Sequence, residues 1–155
     1  MMISTKGRYA LRIMIDLARH REEGYISLKT IADRQDTSMK YLEAIIADFK
    51  REGLVESLRG KEGGYRLPED PSHYTVKQIL TLAEGTLAPV ACLSCEEANC
   101  EREDFCLTLP MWRQLDRLIE DYLSQVTLAD LLNQTLPDPC LGCSSHLEQK
   151  KGNIK

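Results

Sequence analysis

The fold is decided by one stretch of the chain, Gly53-Leu54-Val55-Glu56-Ser57-Leu58-Arg59-Gly60-Lys61-Glu62-Gly63-Gly64-Tyr65-Arg66-Leu67. Residues 54–59 alternate as a β-strand does, residues 60–64 supply a glycine-rich turn, and residues 65–67 alternate back. The glycines let the backbone of the turn bend sharply and come close to a ligand. The stretch therefore predicts a two-stranded β-hairpin.

Two helices are predicted immediately before this hairpin. Ser27 caps a short helix, and a longer helix starts near Thr37 or Ser38 and ends near Gly53. The apolar residues of the two helices recur at three- and four-residue spacing, and they are Leu28, Ile31 and Ala32, then Leu42, Ile45, Ile46 and Phe49. Two helices joined by a tight link and followed by a hairpin are typical of a winged helix-turn-helix.

The remaining helices make the chain mainly α. A first helix is predicted over about residues 4–19, and another over residues 75–85, which begin with a threonine cap and end with a glycine stop. Thr127, with Asp130 three residues later, predicts a capping box for one last short helix.

A long helix is predicted from about Leu107 to Val126. Its apolar residues follow a heptad pattern, and they are Trp112, Leu115, Ile119, Tyr122 and Val126. Such a seam needs a partner surface: either the helix packs on its own domain, or two copies of the chain pair through it. We expect a homodimer, because two-fold related recognition helices match a palindromic site.

The predicted fold class is therefore a mainly α protein, with a winged helix-turn-helix domain, a two-stranded wing and a long C-terminal dimerisation helix. The expected divisions are the winged helix-turn-helix domain (1–84), a cysteine-rich sensor loop (85–106), a dimerisation helix region (107–135) and a flexible tail (136–155).

The composition is that of a globular protein, with 43% hydrophobic and 28% charged residues among 155. No apolar stretch is long enough to cross a membrane, and the N-terminus lacks the apolar core of a signal peptide, so we expect a cytoplasmic protein. The net charge is −4, yet residues 1–70 carry 13 Lys and Arg against 12 Asp and Glu, whereas residues 71–155 carry 7 against 12. Since local patches govern phosphate contact, this distribution permits a nucleic-acid partner.

The helix-turn-helix and its wing predict binding to double-stranded DNA. Polar residues at the start of the third helix would enter the major groove, and they are Ser38, Lys40, Tyr41 and Glu43. Arg59 and Lys61 on the wing would approach phosphate or the minor groove. The alternative is a small helical domain with an ordinary surface hairpin.

Six cysteines stand in the second half of the chain, at positions 92, 95, 100, 106, 140 and 143. The first four follow the spacing Cys92-x2-Cys95-x4-Cys100-x5-Cys106, and such soft thiolates suit zinc or an iron–sulfur cluster. A structural zinc site usually shows two tight Cys-x2-Cys pairs, and this loop has one. Spacing alone leaves a metal centre and free, redox-active thiols as alternatives.

The second cysteine pair and the histidines carry weaker signals. Cys140 and Cys143, followed by His146, are typical of a reducible or adventitious metal-binding tail. The histidines, at positions 20, 73 and 146, are scattered along the chain, and none lies beside the cysteine loop as a catalytic base would. We therefore expect no enzyme.

Several motifs together carry a resemblance that covers about residues 1–135. They are Ser4-Thr5-Lys6-Gly7-Arg8-Tyr9-Ala10, Ser38-Met39-Lys40-Tyr41-Leu42-Glu43, Gly53-Leu54-Val55 with Arg59-Gly60-Lys61-Glu62-Gly63-Gly64-Tyr65, the cysteine loop through Cys106-Leu107-Thr108 to Trp112, and Val126-Thr127-Leu128-Ala129-Asp130-Leu131. With these motifs the chain resembles the winged-helix regulators typified by the iron–sulfur cluster regulator IscR, the nitric-oxide sensor NsrR and the cysteine-metabolism repressor CymR.

The resemblance implies a dimer with crossing long helices, in which the cysteine loop of one subunit lies close to the DNA-binding domain of the other. It implies Cys92, Cys100 and Cys106 as ligands of an iron–sulfur cluster, either 2Fe–2S or 4Fe–4S. Leu109 stands where the IscR type has a histidine ligand, so Cys95 becomes the candidate for a fourth ligand. Arg8 occupies the position from which other members supply a ligand across the dimer, and an arginine does not suit that role.

The main hypothesis is thus a transcriptional repressor whose affinity for operator DNA depends on the state of this cluster. The alternative is a cluster-free regulator controlled by cysteine-thiol redox state, a small molecule or a partner protein of cysteine metabolism.

Overall fold

The computed structural model describes residues 3–94 and 103–138. The helices and strands of these residues are α1 (Thr5–Arg19), α2 (Leu28–Gln35), α3 (Met39–Arg51), β1 (Glu56–Leu58), β2 (Gly64–Arg66), α4 (Val76–Glu84), α5 (Leu109–Gln125) and α6 (Leu128–Asn133). The mainly α fold with one antiparallel two-stranded sheet confirms the predicted fold class. Most of the predicted flexible tail, residues 139–155, lies outside the described residues.

A serine or threonine hydroxyl caps the starts of α1, α2, α3, α4 and α6, whereas Thr108 before α5 makes no capping hydrogen bond with its side chain. Ser4, Ser27 and Ser38 accept hydrogen bonds from backbone N–H groups at the starts of α1, α2 and α3. Thr75 does the same for α4, and Thr127 forms a reciprocal capping box with Asp130 at the start of α6. Each cap supplies a partner for a donor that the helix geometry leaves unpaired, and typically stabilises a helix by about 1 kcal/mol.

The main core lies between α1, α3 and the elements packed on them. Its largest fully buried side chains include Phe49, Ile13, Met14, Leu17, Ile31, Leu42, Ile45, Ile46, Ile79 and Leu128. Within the described residues, Asp16 on α1 is the one buried charged side chain, and its carboxylate accepts a hydrogen bond of 3.3 Å from Arg34 on α2. This pair joins α2 to α1. Loss of Arg34 would leave the buried Asp16 carboxylate without this cationic partner, which would be destabilising.

The wing is shorter than the predicted hairpin and is anchored from outside it. β1 begins at Glu56, because Leu54 and Val55 are both buried and pack into the core as the chain leaves α3. Tyr65 on β2 exchanges backbone hydrogen bonds of 2.8 and 2.9 Å with Ile26, which precedes α2. A Cβ atom on Gly64 would overlap the backbone of Ile26, so a glycine is required at this close approach.

Replacing Gly64 by alanine is therefore expected to lower the free energy of unfolding by about 1–3 kcal/mol, the usual cost of overpacking. The new methyl group would push β2 away from Ile26 and loosen the wing. Urea denaturation followed by circular dichroism measures the effect through the midpoint concentration. Ser57→Ala on β1, opposite Tyr65, is the matched control and should leave the midpoint almost unchanged. An unaltered midpoint for Gly64→Ala would show that the wing does not depend on this contact.

The segment after α5 returns to the helix-turn-helix core. The Val76 N–H donates to the Val126 carbonyl at 2.8 Å, and the Leu128 N–H donates to the Tyr74 carbonyl at 3.0 Å. Leu128 is fully buried and belongs to the same hydrophobic cluster as α1. The first and last helices of the described chain, α1 and α6, therefore share one core.

The long helix α5 packs on α4 with part of its predicted seam. Val126, directly after α5, is buried in a second cluster with Val76, Leu80 and Leu87, and Tyr122 packs against that cluster. The C-terminal part of the seam thus covers the protein's own domain. Among the described helices, none is long and apolar enough to cross a membrane.

Candidate DNA-binding surface and cysteine loop

The start of α3 presents polar side chains to solvent. Ser38, Lys40 and Glu43 are exposed, and the Ser38 hydroxyl accepts the Tyr41 N–H at 3.3 Å. The Ser38 cap orders the first turn of α3, from which Lys40 and Glu43 extend. Buried Leu42, Ile45 and Ile46 hold the opposite face of the helix in the core. This geometry suits a recognition helix, whose first turns must be accessible and rigidly held.

Tyr41 has a second role that the sequence pattern does not reveal. Its side chain is half-buried and its ring meets that of Tyr9 on α1 edge-on, with ring centres 5.6 Å apart. Such an edge-to-face pair stabilises a particular orientation of both rings. Tyr9 lies in the first predicted helix, but hydrophobic periodicity does not show which helices contact one another, so the sequence pattern does not predict this ring contact.

The tip of the wing carries exposed cations. Arg59 and Lys61 are exposed in the turn, which a Gly63 N–H to Gly60 carbonyl bond of 3.0 Å closes. At the base of the wing Arg66 is already paired: Glu56 accepts its hydrogen bond at 2.9 Å and raises the pKa of its guanidinium. Arg59 and Lys61 therefore supply the positive charge of the wing tip.

A charge cluster joins α3 to α1. Asp48 on α3 accepts a hydrogen bond of 3.0 Å from Lys6 on α1 and one of 2.9 Å from Arg51. Lys6 is the main cause of the lowered pKa of Asp48. Because the folded-state pKa is depressed, this contribution to stability is present above the unfolded pKa and is lost as the pH falls through the folded one.

Two of the predicted cluster ligands lie within the described residues. Cys92 lies in the short 3₁₀ turn Ala91–Leu93, Cys106 lies shortly before α5, and both thiols are half-buried and free. Cys95 and Cys100, like Cys140 and Cys143, lie outside the described residues. Within the ranges 3–94 and 103–138, no three potential ligands come together.

The surroundings of Cys106 favour its thiolate form. The sulfur lies 3.5 Å from the Thr108 hydroxyl oxygen, and that hydroxyl with the backbone N–H groups of Thr108 and Leu109 lowers the pKa of the thiol. Since the thiolate is the form that ligates iron, Cys106 fits an iron–sulfur cluster. It equally fits a reactive thiol.

Two positions at which the resemblance implies ligands in other regulators, Leu109 and Arg8, carry side chains that do not suit a metal ion here. Leu109 has an apolar side chain, only 8% exposed, at the start of α5. Arg8 is exposed and donates a hydrogen bond of 3.3 Å to the Thr5 hydroxyl. Neither a leucine side chain nor a protonated guanidinium offers an electron pair to a metal ion.

The N-terminal part of α5 carries an apolar face that is exposed. Met111, Leu115 and Leu118 share one face through spacings of four and three residues, and they are 53%, 38% and 47% exposed. Phe105 and Leu107, just before the helix, are 85% and 96% exposed. A contiguous apolar surface of this kind marks an interaction site more often than an ordinary surface.

Comparison with known proteins places these features in one family. The model of the Rrf2 family, described as iron-dependent transcriptional regulators, matches residues 3–134. The HTH-type transcriptional regulator IscR of Serratia proteamaculans is 38% identical over 133 residues, which are 86% of this chain and 80% of that protein.

Two solved structures share the fold. T. potens IscR has 40% identity and a TM-score of 0.71, over 86% of this chain and 88% of that chain. CymR, the global cysteine regulator of B. subtilis, has 39% identity and a TM-score of 0.70, over 87% and 98%. With the winged helix-turn-helix, the cysteine loop and this similarity, the chain belongs to the Rrf2 family of winged-helix transcriptional regulators.

Proposed function

We propose that the chain is a DNA-binding repressor that reads its operator with the start of α3 and the tip of the wing. The observation that carries the proposal is the exposure of Lys40, Glu43, Arg59 and Lys61 on elements held rigidly from behind. Lys40 would contact the duplex from the major groove, together with Ser38 and Tyr41. Arg59 and Lys61 would contact phosphate or the minor groove.

The repressor acts as a homodimer in this proposal. The exposed apolar face of α5, formed by Met111, Leu115 and Leu118, supplies the contact between two copies. A two-fold dimer presents two α3 helices to the two halves of a palindromic operator. The region 107–135 is thus the dimerisation region, although α6 also contributes to the core of its own winged helix.

An iron–sulfur cluster in the loop of residues 85–106 sets operator affinity. Cys92, Cys100 and Cys106 would hold it, with Cys95 as the fourth ligand. When bound, the cluster supplies a redox-sensitive group whose loss a cell can sense. Cys106 lies three residues before α5, so a change in the loop acts directly on the start of the dimerisation helix. A coupling of about 1–3 kcal/mol between loop and DNA is sufficient for regulation.

A second candidate is a cluster-free regulator controlled by the redox state of its thiols. The lowered pKa of Cys106 favours this candidate, because a stabilised thiolate reacts readily with oxidants and disulfides. The similarity to the cysteine regulator CymR is in keeping with it. Anaerobic purification followed by iron analysis distinguishes the two: a colourless, iron-free protein favours the thiol switch.

Replacing Glu43 by alanine tests the recognition helix. Glu43 would accept a hydrogen bond from cytosine or exclude a wrong base, so its loss should cost about 1–3 kcal/mol of discrimination, or about 5- to 150-fold. The measurement is the ratio of affinities for a duplex selected by the wild-type protein from a random pool and for a mixed-sequence duplex, by fluorescence anisotropy. Glu22→Ala, an exposed carboxylate in the turn after α1, is the matched control. If both variants keep the wild-type ratio, α3 does not read bases through Glu43.

A further inference from the structure

Arg12 on α1 is exposed and lies beside Tyr9, whose ring contacts α3. Its guanidinium carbon lies 5.1 Å from the centre of the Tyr9 ring, in a cation–π contact. The Tyr9 ring in turn meets the ring of Tyr41, with centres 5.6 Å apart. An exposed guanidinium is thus connected through one aromatic ring to a residue predicted to enter the major groove.

The position of Arg12 also borders the helix-turn-helix link. Together with Ile15, Asp16, Arg19 and Gln35 it lines a cleft of about 180 Å³. Gln35 is the last residue of α2, and α3 begins at Met39, so the link between the two helices is short. Arg12 therefore flanks both the link and the start of α3, where a duplex that accepts this helix would bring its phosphates.

Among the described residues Arg12 forms no ion pair, unlike several other arginines, and the carboxylate of Asp16 in the same cleft is already paired with Arg34. Arg21 pairs with Asp70 at 2.6 Å, Arg34 pairs with Asp16 and Glu23, and Arg66 pairs with Glu56. In the part of the chain that the structure describes, no carboxylate lies within ion-pair distance of Arg12. An arginine that holds no carboxylate is free to neutralise a phosphate and release its counterion.

We propose that Arg12 is a phosphate contact of the DNA-binding surface, supplied by α1 and positioned by Tyr9. The inference rests on the proposed function, since it assumes that α3 binds a duplex. The Tyr9 ring limits the orientations of the guanidinium, so less conformational entropy is lost when it binds phosphate. The contact adds affinity for any sequence and does not add discrimination between sequences.

The test is the salt dependence of DNA binding by Arg12→Gln. Affinities are measured between about 50 and 200 mM salt for the selected duplex and for the mixed-sequence duplex. We expect the slope of log K against log salt to become shallower by about 1 for each protomer that loses its contact, on both duplexes. Arg12→Lys should keep most of the slope, because it keeps the charge. Arg21→Gln is the matched control and should not change the slope, since Asp70 already neutralises this arginine.

The possible failures are distinguishable. If the wild-type protein binds neither duplex, the proposed function fails. If it binds and Arg12→Gln keeps the wild-type slope, the inference about Arg12 fails and the proposed function stands. A change on the selected duplex alone would make Arg12 a base contact and would also overturn the inference. Thermal unfolding of Arg12→Gln, which should match the wild type because Arg12 is exposed, excludes a folding defect.

Discussion

Replacing Leu115 and Leu118 together by aspartate is expected to dissociate the proposed homodimer into monomers and to abolish tight operator binding. Both side chains lie on the exposed apolar face of α5, with 38% and 47% of their surface accessible. If two copies pair through this face, the substitutions place carboxylates in an apolar interface. A monomer presents a single α3, so it loses the second half-site of a palindromic operator.

The expected effect on the dimer dissociation constant is large, because each substitution is present in both protomers. Covering the remaining exposed part of each leucine contributes about 1 kcal/mol, so four leucines contribute about 4 kcal/mol to a dimer. This corresponds to about a thousandfold in the dimer dissociation constant, and the desolvation of the new carboxylates increases it. Sedimentation equilibrium measures the dissociation constant directly.

Ser124→Asp provides the matched control for this variant. Ser124 is exposed on the other side of α5, where its hydroxyl donates to the Glu120 carbonyl at 2.6 Å. An added carboxylate at this position should leave the dimer intact. A monomeric wild-type protein, or a double variant that remains a dimer, would contradict the assignment of the interface to Met111, Leu115 and Leu118.

Replacing Cys92, Cys100 and Cys106 together by alanine is expected to remove all visible absorbance and bound iron from anaerobically purified protein. Iron–sulfur clusters are held by thiolates, and one remaining cysteine in the loop does not hold a cluster. Operator affinity should change by about 5- to 150-fold relative to the cluster-loaded protein, the usual range of an allosteric coupling. Absorbance, iron content and operator affinity are measured on the same samples.

Two companion variants make this experiment specific. Cys140→Ala with Cys143→Ala removes the same kind of side chain from the tail and should keep the full iron content. Cys95→Ala should lower the iron content if Cys95 is the fourth ligand. A triple variant that retains iron, or a wild-type protein that contains none under anaerobic conditions, would contradict control by a cluster. The second outcome favours a cluster-free regulator, controlled by its thiols, a small molecule or a partner protein.

The parts of the structure that the sequence predicts well depend on contacts between residues near one another in the chain. Helix caps are of this kind: Ser27 and Ser38 lie three residues before the N–H groups that they accept. The capping box of Thr127 and Asp130 is equally local, and the structure confirms it. The wing was recognised because its glycines stand at a turn between two short strands.

The candidate DNA-binding residues could also be named from the sequence, because a helix-turn-helix places them by position. Lys40, Glu43, Arg59 and Lys61 are exposed as expected, and their roles remain predictions. The sequence did not show that Tyr41 packs on Tyr9, or that Arg12 lies over the same ring. The contact between Tyr9 and Tyr41 joins residues about thirty positions apart, so no local pattern encodes it. Arg12 and Tyr9 are close neighbours on α1, a spacing that permits their contact, but the sequence alone does not show that it forms.

The sequence by itself determined the order of the helices, their caps, the wing and the family resemblance, since each follows from short-range periodicity, turn chemistry or motif. Only the tertiary structure decided how α5 divides its apolar residues. Tyr122 and Val126 face the protein's own α4, whereas Leu115 and Leu118 remain exposed. A heptad pattern marks all apolar positions of a helix alike, because it records hydrophobicity and not the surface that each side chain meets. That choice depends on where the chain returns after α5, through the hydrogen bonds that join Val126 and Leu128 to Val76 and Tyr74.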